Sequence, residues 1–100
     1  MRGGFLHNEI LVRPIERFFL SVGGLVCREY PAGNGFVDLF IQWESYRIVT
    51  EAELQWRRIG NDVVKATALH ADLLLIVTPT WQTARLVRRK ITLASNGPVI

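Results

Sequence analysis

Two glutamates on one predicted strand have a spacing that could form a catalytic or cation-binding site. Glu51 and Glu53 end the stretch YRIVTEAE, which begins at Tyr46. Side chains two residues apart on a β-strand point to the same face, so the two carboxylates lie side by side and repel each other. A bound cation would offset that repulsion, and a solvated strand end would reduce it.

A third carboxylate occupies an unusual position in the preceding strand. Asp38 lies between Val37 and Leu39 in the apolar stretch GFVDLF, although aspartate is depleted in strands and its charge is costly to bury. An Asp and a Glu facing each other on adjacent strands, with a backbone carbonyl, offer the hard oxygen ligands that Mg²⁺ prefers. Such an ion can bind a phosphate oxygen and generate a hydroxide nucleophile, which suits phosphodiester hydrolysis. We therefore favour a divalent cation shared by Asp38, Glu51 and Glu53.

Hydrophobic periodicity predicts the elements that position these acids. The predicted order is helix, three strands, helix, strand, helix, which gives an α/β fold with a mixed sheet and helices on both faces. The strand at 71–78 is apolar on both faces, a pattern typical of a strand buried between helices. The predicted elements are a helix at Asn8–Val22, strands at Leu25–Tyr30, Phe36–Gln42 and Tyr46–Glu53, a helix at Gln55–His70, the strand at 71–78 and a helix at Trp81–Lys90, with a final short strand in 92–100.

The first helix carries both an apolar stripe and a helix breaker. Leu11, Ile15, Phe18 and Val22 fall on one face at helical spacing. Pro14 lacks a backbone N–H, so it predicts either a kink or a later start for this helix.

Composition limits the class of protein. One hundred residues, 49% of them hydrophobic, fit a single domain over 1–100 with a core at about 8–91. The one cysteine, Cys27, excludes an intrachain disulfide, and a zinc site would need His7 and His70, which lack paired ligand spacing. Few thiols and the lack of a signal peptide indicate the cytoplasm, and the longest apolar run is too short to cross a bilayer. The net charge of +3 is weak support for a nucleic-acid partner.

The acids and the element order together resemble the PD-(D/E)XK nuclease superfamily. That family has a restriction-endonuclease-like αβββαβα core, with an acid on the second strand and acid-x-Lys at the end of the third. Here the motif reads GFVDLF followed by VTEAEL. The stretch from Asn8 to Phe40 is similar to the opening of family members, and KATALHADLLLIVTP is similar to the helix and strand that follow the motif. The resemblance covers about residues 9–90.

The resemblance implies a role for each acid. Asp38 and Glu51 would be metal ligands, and the backbone carbonyl of Ala52 would be the remaining ligand that the protein supplies. Glu9 matches an acid of the first helix that holds a second ion or a metal-bound water, although the solvated face of an amphipathic helix accounts for it equally well. Glu29 is a weaker candidate at the same site.

The sequence departs from the family pattern at the lysine. Glu53 stands where the family usually has Lys, and there it would act as a base or a ligand. Some members supply the lysine from the following helix, in which Lys65 is the only lysine. The alternative for Lys65 is an ion pair with Asp62 or Glu53. If neither residue replaces the motif lysine, the domain binds metal poorly or is inactive.

Five arginines are candidates for binding nucleic acid. Arg85, Arg88 and Arg89 share one face of the last predicted helix, and Arg57 and Arg58 follow the acidic pair. Such groups neutralise phosphates and position a duplex, although a solubilising surface explains any single one of them equally well.

The sequence thus predicts a small Mg²⁺-dependent DNA endonuclease, with Mn²⁺ as a substitute ion, that hydrolyses phosphodiester bonds with metal-activated water. A homodimer would present two sites to two strands, in restriction-like or junction-resolving cleavage. No membrane and no small-molecule cofactor are expected. One alternative is a degenerate nuclease-fold domain that binds nucleic acid or dimerises. Another is a structural or partner-binding domain in which the acids are incidental.

Overall fold

The structure, a computed structural model, describes residues 6–33, 35–54 and 58–94. Its elements follow the predicted order of helix, three strands, helix, strand and helix, which confirms the α/β class. The first helix has a π-helical part, Leu6–Val12, that continues as α1, Arg13–Ser21. The other elements are β1, Leu25–Ala32; β2, Gly35–Trp43; β3, Tyr46–Ala52; α2, Ile59–Ala68; β4, Leu73–Val77; and α3, Trp81–Ala94.

Four strands of the described residues form one mixed sheet in the order β1-β2-β3-β4. The β1–β2 and β2–β3 pairs are antiparallel, and β3–β4 is parallel. Two antiparallel strands can be joined by a short turn, as Glu44 and Ser45 join β2 to β3, whereas parallel strands need a long crossover. The helix α2 lies in that crossover, so the sheet order places it next to the end of β3.

Two apolar clusters hold helices against the sheet. Ile48 and Val49 are adjacent on β3 but belong to different clusters, so the clusters lie on opposite faces of the sheet. The buried members of the first are Leu11, Val12, Leu39, Ile41, Ile48 and Ala52, and those of the second are Ala32, Val37, Phe40, Val49 and Ala66. The π-helical part therefore covers one face and α2 covers the other, as predicted.

The first helix differs from its predicted apolar stripe. Leu11 is buried and Ile15 packs against the first cluster, as expected, but Phe18 is 58% exposed and Phe19 packs inward instead. The predicted stripe is wrong here, because the residues that face the sheet are Leu11, Ile15 and Phe19, at i, i+4 and i+8. The change from π to α geometry within this helix accounts for the different spacing. Pro14 lies at the junction where the π-helical part ends and α1 begins, so the helix does not start later than predicted and its geometry changes at the proline instead.

The prediction of a strand buried between helices is wrong for β4. All five residues from Leu73 to Val77 are only half-buried. The physical reason is the sheet order, because β4 pairs with β3 and ends the sheet of the described strands. Its start is tied to β3 by two reciprocal bonds: the Arg47 N–H donates to Asp72 Oδ2 and the Asp72 N–H donates to the Arg47 carbonyl oxygen, both at 2.8 Å.

The two later helices also differ from their predicted bounds. The described part of α2 begins at Ile59, and the predicted helical residues Gln55 and Trp56 lie outside the described residues. The helix α3 continues to Ala94, so its predicted end at Lys90 is wrong, and residues 95–100 of the predicted final strand lie outside the described residues. Of the helices in the described ranges, none combines the length and the apolar composition needed to span a bilayer.

Two glycines close the end of α1. The Gly23 N–H donates to the Leu20 carbonyl and the Gly24 N–H to the Phe19 carbonyl, which is the Schellman arrangement, with Gly23 at φ +88°. A Cβ on Gly24 would lie 2.9 Å from the Phe19 carbonyl oxygen. Neither a side chain at Gly23 nor one at Gly24 therefore fits without moving the backbone.

We expect Gly24→Ala to lower the free energy of unfolding by about 1–3 kcal/mol, since the clash is with backbone. The matched control is Gly60→Ala in the first turn of α2, where a Cβ meets no atom of the described residues within 4 Å. That control should raise stability by about 0.5–1 kcal/mol. Urea denaturation of the two variants and the wild type measures both effects, and a Gly24→Ala protein as stable as the wild type would contradict this account of the helix end.

Candidate active site

Asp38 and Glu51 lie where β2 and β3 stop pairing. The ladder runs from Trp43↔Tyr46 to Leu39↔Thr50, and one further step would place Asp38 opposite Glu51. At that step the Asp38 N–H donates to Glu51 Oε1, and the Ala52 N–H donates to Asp38 Oδ2, both at 2.7 Å. Each carboxylate thus binds the backbone of the other strand and replaces the missing ladder bonds.

The irregular backbone extends into β1. Glu29 has φ +49° and falls opposite Asp38 in the β1–β2 register. At the same level the side-chain alternation of β2 breaks, because Val37 and Leu39 are two residues apart but pack in opposite clusters. Local irregularities of this kind re-aim side chains and are common next to active sites. The Glu29 side chain itself is exposed, and it is not among the described residues that line the cleft at Asp38.

The helix α2 brings Lys65 to the two acids. Its Nζ lies 3.2 Å from Glu51 Oε2 and donates to the Phe36 carbonyl oxygen at 2.9 Å. The Glu51 side chain is only 4% exposed, so the ammonium offsets a charge that would otherwise be costly to bury. The predicted possibility that a lysine reaches the site from the following helix agrees with this position.

Glu53 lies on the same side of β3 as Glu51, as the strand alternation predicts. Its backbone N–H donates to the Val77 carbonyl at 2.9 Å, which joins the residue after β3 to the end of β4. Glu53 is 6% exposed and lines the same cleft as Glu51. The two glutamates are therefore buried and are not a solvated strand end, and a cation shared with Asp38 stays a prediction.

Asp62 is a fourth carboxyl, which the sequence analysis considered only as an ion-pair partner of Lys65. It is 3% exposed, and among the described residues its Oδ2 has no hydrogen-bond partner. Burial, followed by hydrogen bonding and charge repulsion from Glu51 and Glu53, raises the pKa of Asp62 to about 10. Asp62 is therefore protonated at neutral pH. The signal for it in the sequence was its i, i+3 spacing to Lys65, which places both on one face of α2.

These residues line one open cleft of about 610 Å³. Among the described residues, its ionisable side chains are Asp38, Glu51, Glu53, Asp62, Arg58 and Lys65. With Asp62 protonated, this described set contains three carboxylates and two cations and has a formal charge of −1. One divalent cation would change the formal charge of the same set to +1.

Several predicted residues lie elsewhere. Glu9 is exposed and forms an ion pair with Arg13 at 2.7 Å, and it is not among the described residues that line the cleft. Arg85, Arg88 and Arg89 are exposed on α3, also away from the described lining. Arg58 does line the cleft, and Arg57 lies outside the described residues.

The donor chemistry of the cleft fits a hard divalent cation. Within the described ranges, no group of three or more His, Cys, Asp or Glu side chains is already arranged as a metal site. The available ligands are nevertheless carboxylate oxygens and the Ala52 backbone in one cleft, with a buried Asp62 oxygen that lacks a partner. The oxygens of Asp38 and Glu51 that accept hydrogen bonds keep a second lone pair for a cation. Mg²⁺ or Mn²⁺ would thus require a small rearrangement of side chains.

Comparison with known proteins gives no relative. No family model, no curated protein and no solved structure matches this chain. The geometry of the cleft is therefore the basis for assigning a function.

The raised pKa of Asp62 predicts a pH-dependent stability. The group has an ordinary value of 3.8 and a folded value of about 10, so between these values the folded state binds more protons than the unfolded state. Its contribution is most favourable below the lower value and is lost as pH rises toward about 10. We expect Asp62→Asn to remove this slope and to raise the free energy of unfolding by roughly 2–4 kcal/mol at neutral pH.

Urea denaturation in EDTA from about pH 5 to about pH 9 measures this effect. The neighbouring Asn61→Ser change is the control, because it alters the cleft without adding or removing an ionisable group. An Asp62→Asn protein with the pH dependence of the wild type would show that Asp62 is not held protonated.

Proposed function

We propose that this chain is a divalent-cation-dependent DNA endonuclease that hydrolyses phosphodiester bonds. The observation that supports it most directly is the arrangement of Asp38, Glu51 and Lys65. The two acids are tied across diverging strands, and the ammonium contacts Glu51 from α2, all in one cleft. Acids that hold a cation next to a fixed ammonium are suited to a reaction in which negative charge develops on phosphate oxygens.

Each residue of the cleft would have its own role in this reaction. Asp38 and Glu51, with the Ala52 carbonyl, would hold Mg²⁺ or Mn²⁺. The chemistry that such an ion supplies when bound is polarisation of the phosphate and activation of a water molecule at neutral pH. Lys65 is held by the Phe36 carbonyl so that its charge stays beside the acids, where it stabilises an anionic phosphate. Arg58 at the same cleft provides a second cation for the DNA backbone.

A restriction-endonuclease-like core is the fold that would accompany this function. The order of helix, three strands, helix and strand, with acids at the point where β2 and β3 stop pairing, supports a restriction-endonuclease-like core. The position of Lys65 supports the version of the motif in which the following helix supplies the lysine. Glu53 then remains as an additional carboxylate in the cleft.

DNA and a second copy of the chain are the proposed partners. Arg85, Arg88 and Arg89 are exposed on α3 outside the described cleft lining, where they would contact solvent-side phosphates of a DNA backbone as cations separate from Arg58. A homodimer would bring two clefts to two strands of one substrate, in restriction-like or junction-resolving cleavage.

Cleavage of supercoiled and branched DNA tests the proposal. We expect Mg²⁺-dependent or Mn²⁺-dependent cutting that Asp38→Asn, Glu51→Gln and Lys65→Met each lower by roughly 100-fold or more, because each removes a charge at the reacting phosphate. Glu44→Gln in the exposed β2–β3 turn is the matched control and should cut like the wild type. Glu9→Gln distinguishes a solvated residue, which leaves the rate unchanged, from a ligand to a second ion.

The results separate the proposal from its alternatives. Cutting that survives the Asp38 and Glu51 substitutions would come from a contaminant or another site. DNA binding without any cutting would favour the degenerate binding module. A protein that neither binds nor cuts DNA would be the structural domain with incidental acids.

Cation binding has a separate prediction that does not need activity. We expect Mg²⁺ or Mn²⁺ at about tenfold its Kd to raise the Tm by roughly 6–11 °C, because a cation that binds only the folded state stabilises it. Asp38→Asn should remove most of this rise. Differential scanning fluorimetry with and without EDTA measures it, with NaCl at equal ionic strength as the control. A rise of the same size in the Asp38→Asn protein would contradict a cation at this site.

A further inference from the structure

A buried carboxyl oxygen in the cleft lacks a donor. Asp62 lines the cleft and is 3% exposed, and within the described ranges its Oδ2 has no hydrogen-bond partner. Buried polar atoms are nearly always hydrogen-bonded, so an exception needs a physical explanation, and a bound ion is one such explanation. The proposed roles of Asp38, Glu51 and Lys65 make no use of this oxygen.

The groups that approach Asp62 are themselves acids. After burial, the strongest influences on its carboxyl group are hydrogen bonding and charge repulsion from Glu51 and Glu53, so the three carboxyl groups lie close together. An ionised carboxylate accepts hydrogen bonds and has none to donate. Only a proton or a cation can therefore join Asp62 to its acidic neighbours.

Glu53 is the neighbour best placed to share a cation with Asp62. It is 6% exposed and lines the same cleft. It directly follows β3, whereas Asp62 lies in the first turn of α2, so two different elements bring the pair together. Glu51 already contacts the Lys65 ammonium at 3.2 Å and is a proposed ligand of the cation that Asp38 also binds.

Two carboxylates are enough for a small divalent cation. Mg²⁺ keeps several waters in its octahedron and is usually bound through one or two carboxylates, together with substrate phosphates. Within the described ranges, no group of three or more ligand side chains is arranged as a metal site. A site of two carboxylates and several waters is compatible with that arrangement.

The family resemblance places a second ion at Glu9, and the structure favours another position. Glu9 is exposed, forms an ion pair with Arg13 at 2.7 Å, and is not among the described residues that line the cleft. Glu53 and Asp62 are buried and do line it. A second ion in this chain would therefore depend on α2 and not on the first helix.

We propose that Glu53 and Asp62 hold a second divalent cation, separate from the cation at Asp38 and Glu51, with water molecules as its remaining ligands. This inference rests on the proposed function, since it adds a cation to the same cleft. Asp62 binds the ion as a carboxylate, so its proton passes to solvent when the ion binds. The Oδ2 atom that no described donor satisfies then becomes a ligand.

The number of Mn²⁺ ions bound per chain tests the inference without any cleavage. Mn²⁺ is titrated into the DNA-free protein at neutral pH, and the unbound ion is measured by electron paramagnetic resonance. We expect the wild type to bind two ions. Asp62→Asn and Glu53→Gln should each weaken one of them by at least about tenfold, and Asp38→Asn should weaken the other by at least as much.

The controls separate a lost ligand from a lost fold. Asp62→Asn is expected to be more stable than the wild type, so unfolding would not explain an ion that it fails to bind. Far-UV circular dichroism checks the fold of the other variants. Asn61→Ser, at the neighbouring position of the cleft lining, and Glu9→Gln should each bind both ions with wild-type affinity.

Each contrary outcome is distinct. A wild type that binds only one ion, or an Asp62→Asn protein that binds two with wild-type affinity, would overturn this inference and leave the proposed function standing. Loss of one ion in Glu9→Gln would assign the second ion to the first helix, which also overturns the inference. A wild type that binds no Mn²⁺ would overturn both proposals.

Discussion

The cleft depends on two reciprocal hydrogen bonds at the point where β2 and β3 stop pairing. Glu51 Oε1 accepts from the Asp38 N–H, and Asp38 Oδ2 accepts from the Ala52 N–H. Regular pairing would have satisfied the backbone N–H groups of Asp38 and Ala52 with carbonyl oxygens. Here carboxylates accept from them instead, and hydrogen bonds to an ionised acceptor are stronger than neutral ones. The same two contacts therefore end the sheet ladder and fix both acids beside each other. A substitution of either acid removes a structural bond and a proposed cation ligand together.

Two side chains from α2 reduce the repulsion between the clustered carboxylates. Lys65 neutralises Glu51 directly, and Asp62 enters the cluster as a neutral acid because burial and its acidic neighbours raise its pKa. A fourth ionised carboxylate in the same space would add repulsion that the two cations of the cleft do not balance. Asp62 and Lys65 are three residues apart on one helix face, so one helix supplies both the neutral acid and the ammonium. The helix is placed there by the crossover that a parallel β3–β4 pair requires.

Some residues of this cleft can be predicted from the sequence. The others depend on tertiary packing, which the pattern of apolar and polar residues does not reveal. Strand alternation was sufficient to place Glu51 and Glu53 on one side, and an aspartate inside an apolar strand was sufficient to mark Asp38. Asp62 was not identified as a member of the site, because a polar residue on an amphipathic helix is assigned to solvent unless a neighbouring element is known to cover it. The position of β4 was also predicted wrongly. Its apolar sequence favoured a central strand, whereas the strand order places it at the end of the sheet. Glu9 matched the family pattern by position, but its carboxylate lies near Arg13 one helical turn away.

The carboxylate of Glu53 has an electrostatic consequence for the proposed function. Among the described residues of the cleft, a lysine at that position would give two carboxylates and three cations around a protonated Asp62. With Glu53 the formal charge of the described set is −1, so within that set a phosphodiester would be repelled until a divalent cation is bound. Lys65 cannot reverse this, because its ammonium is already shared between Glu51 and the Phe36 carbonyl. Under the proposed function, Glu53 would make phosphate binding depend on the cation, and the affinity for DNA would then be coupled to the affinity for the ion.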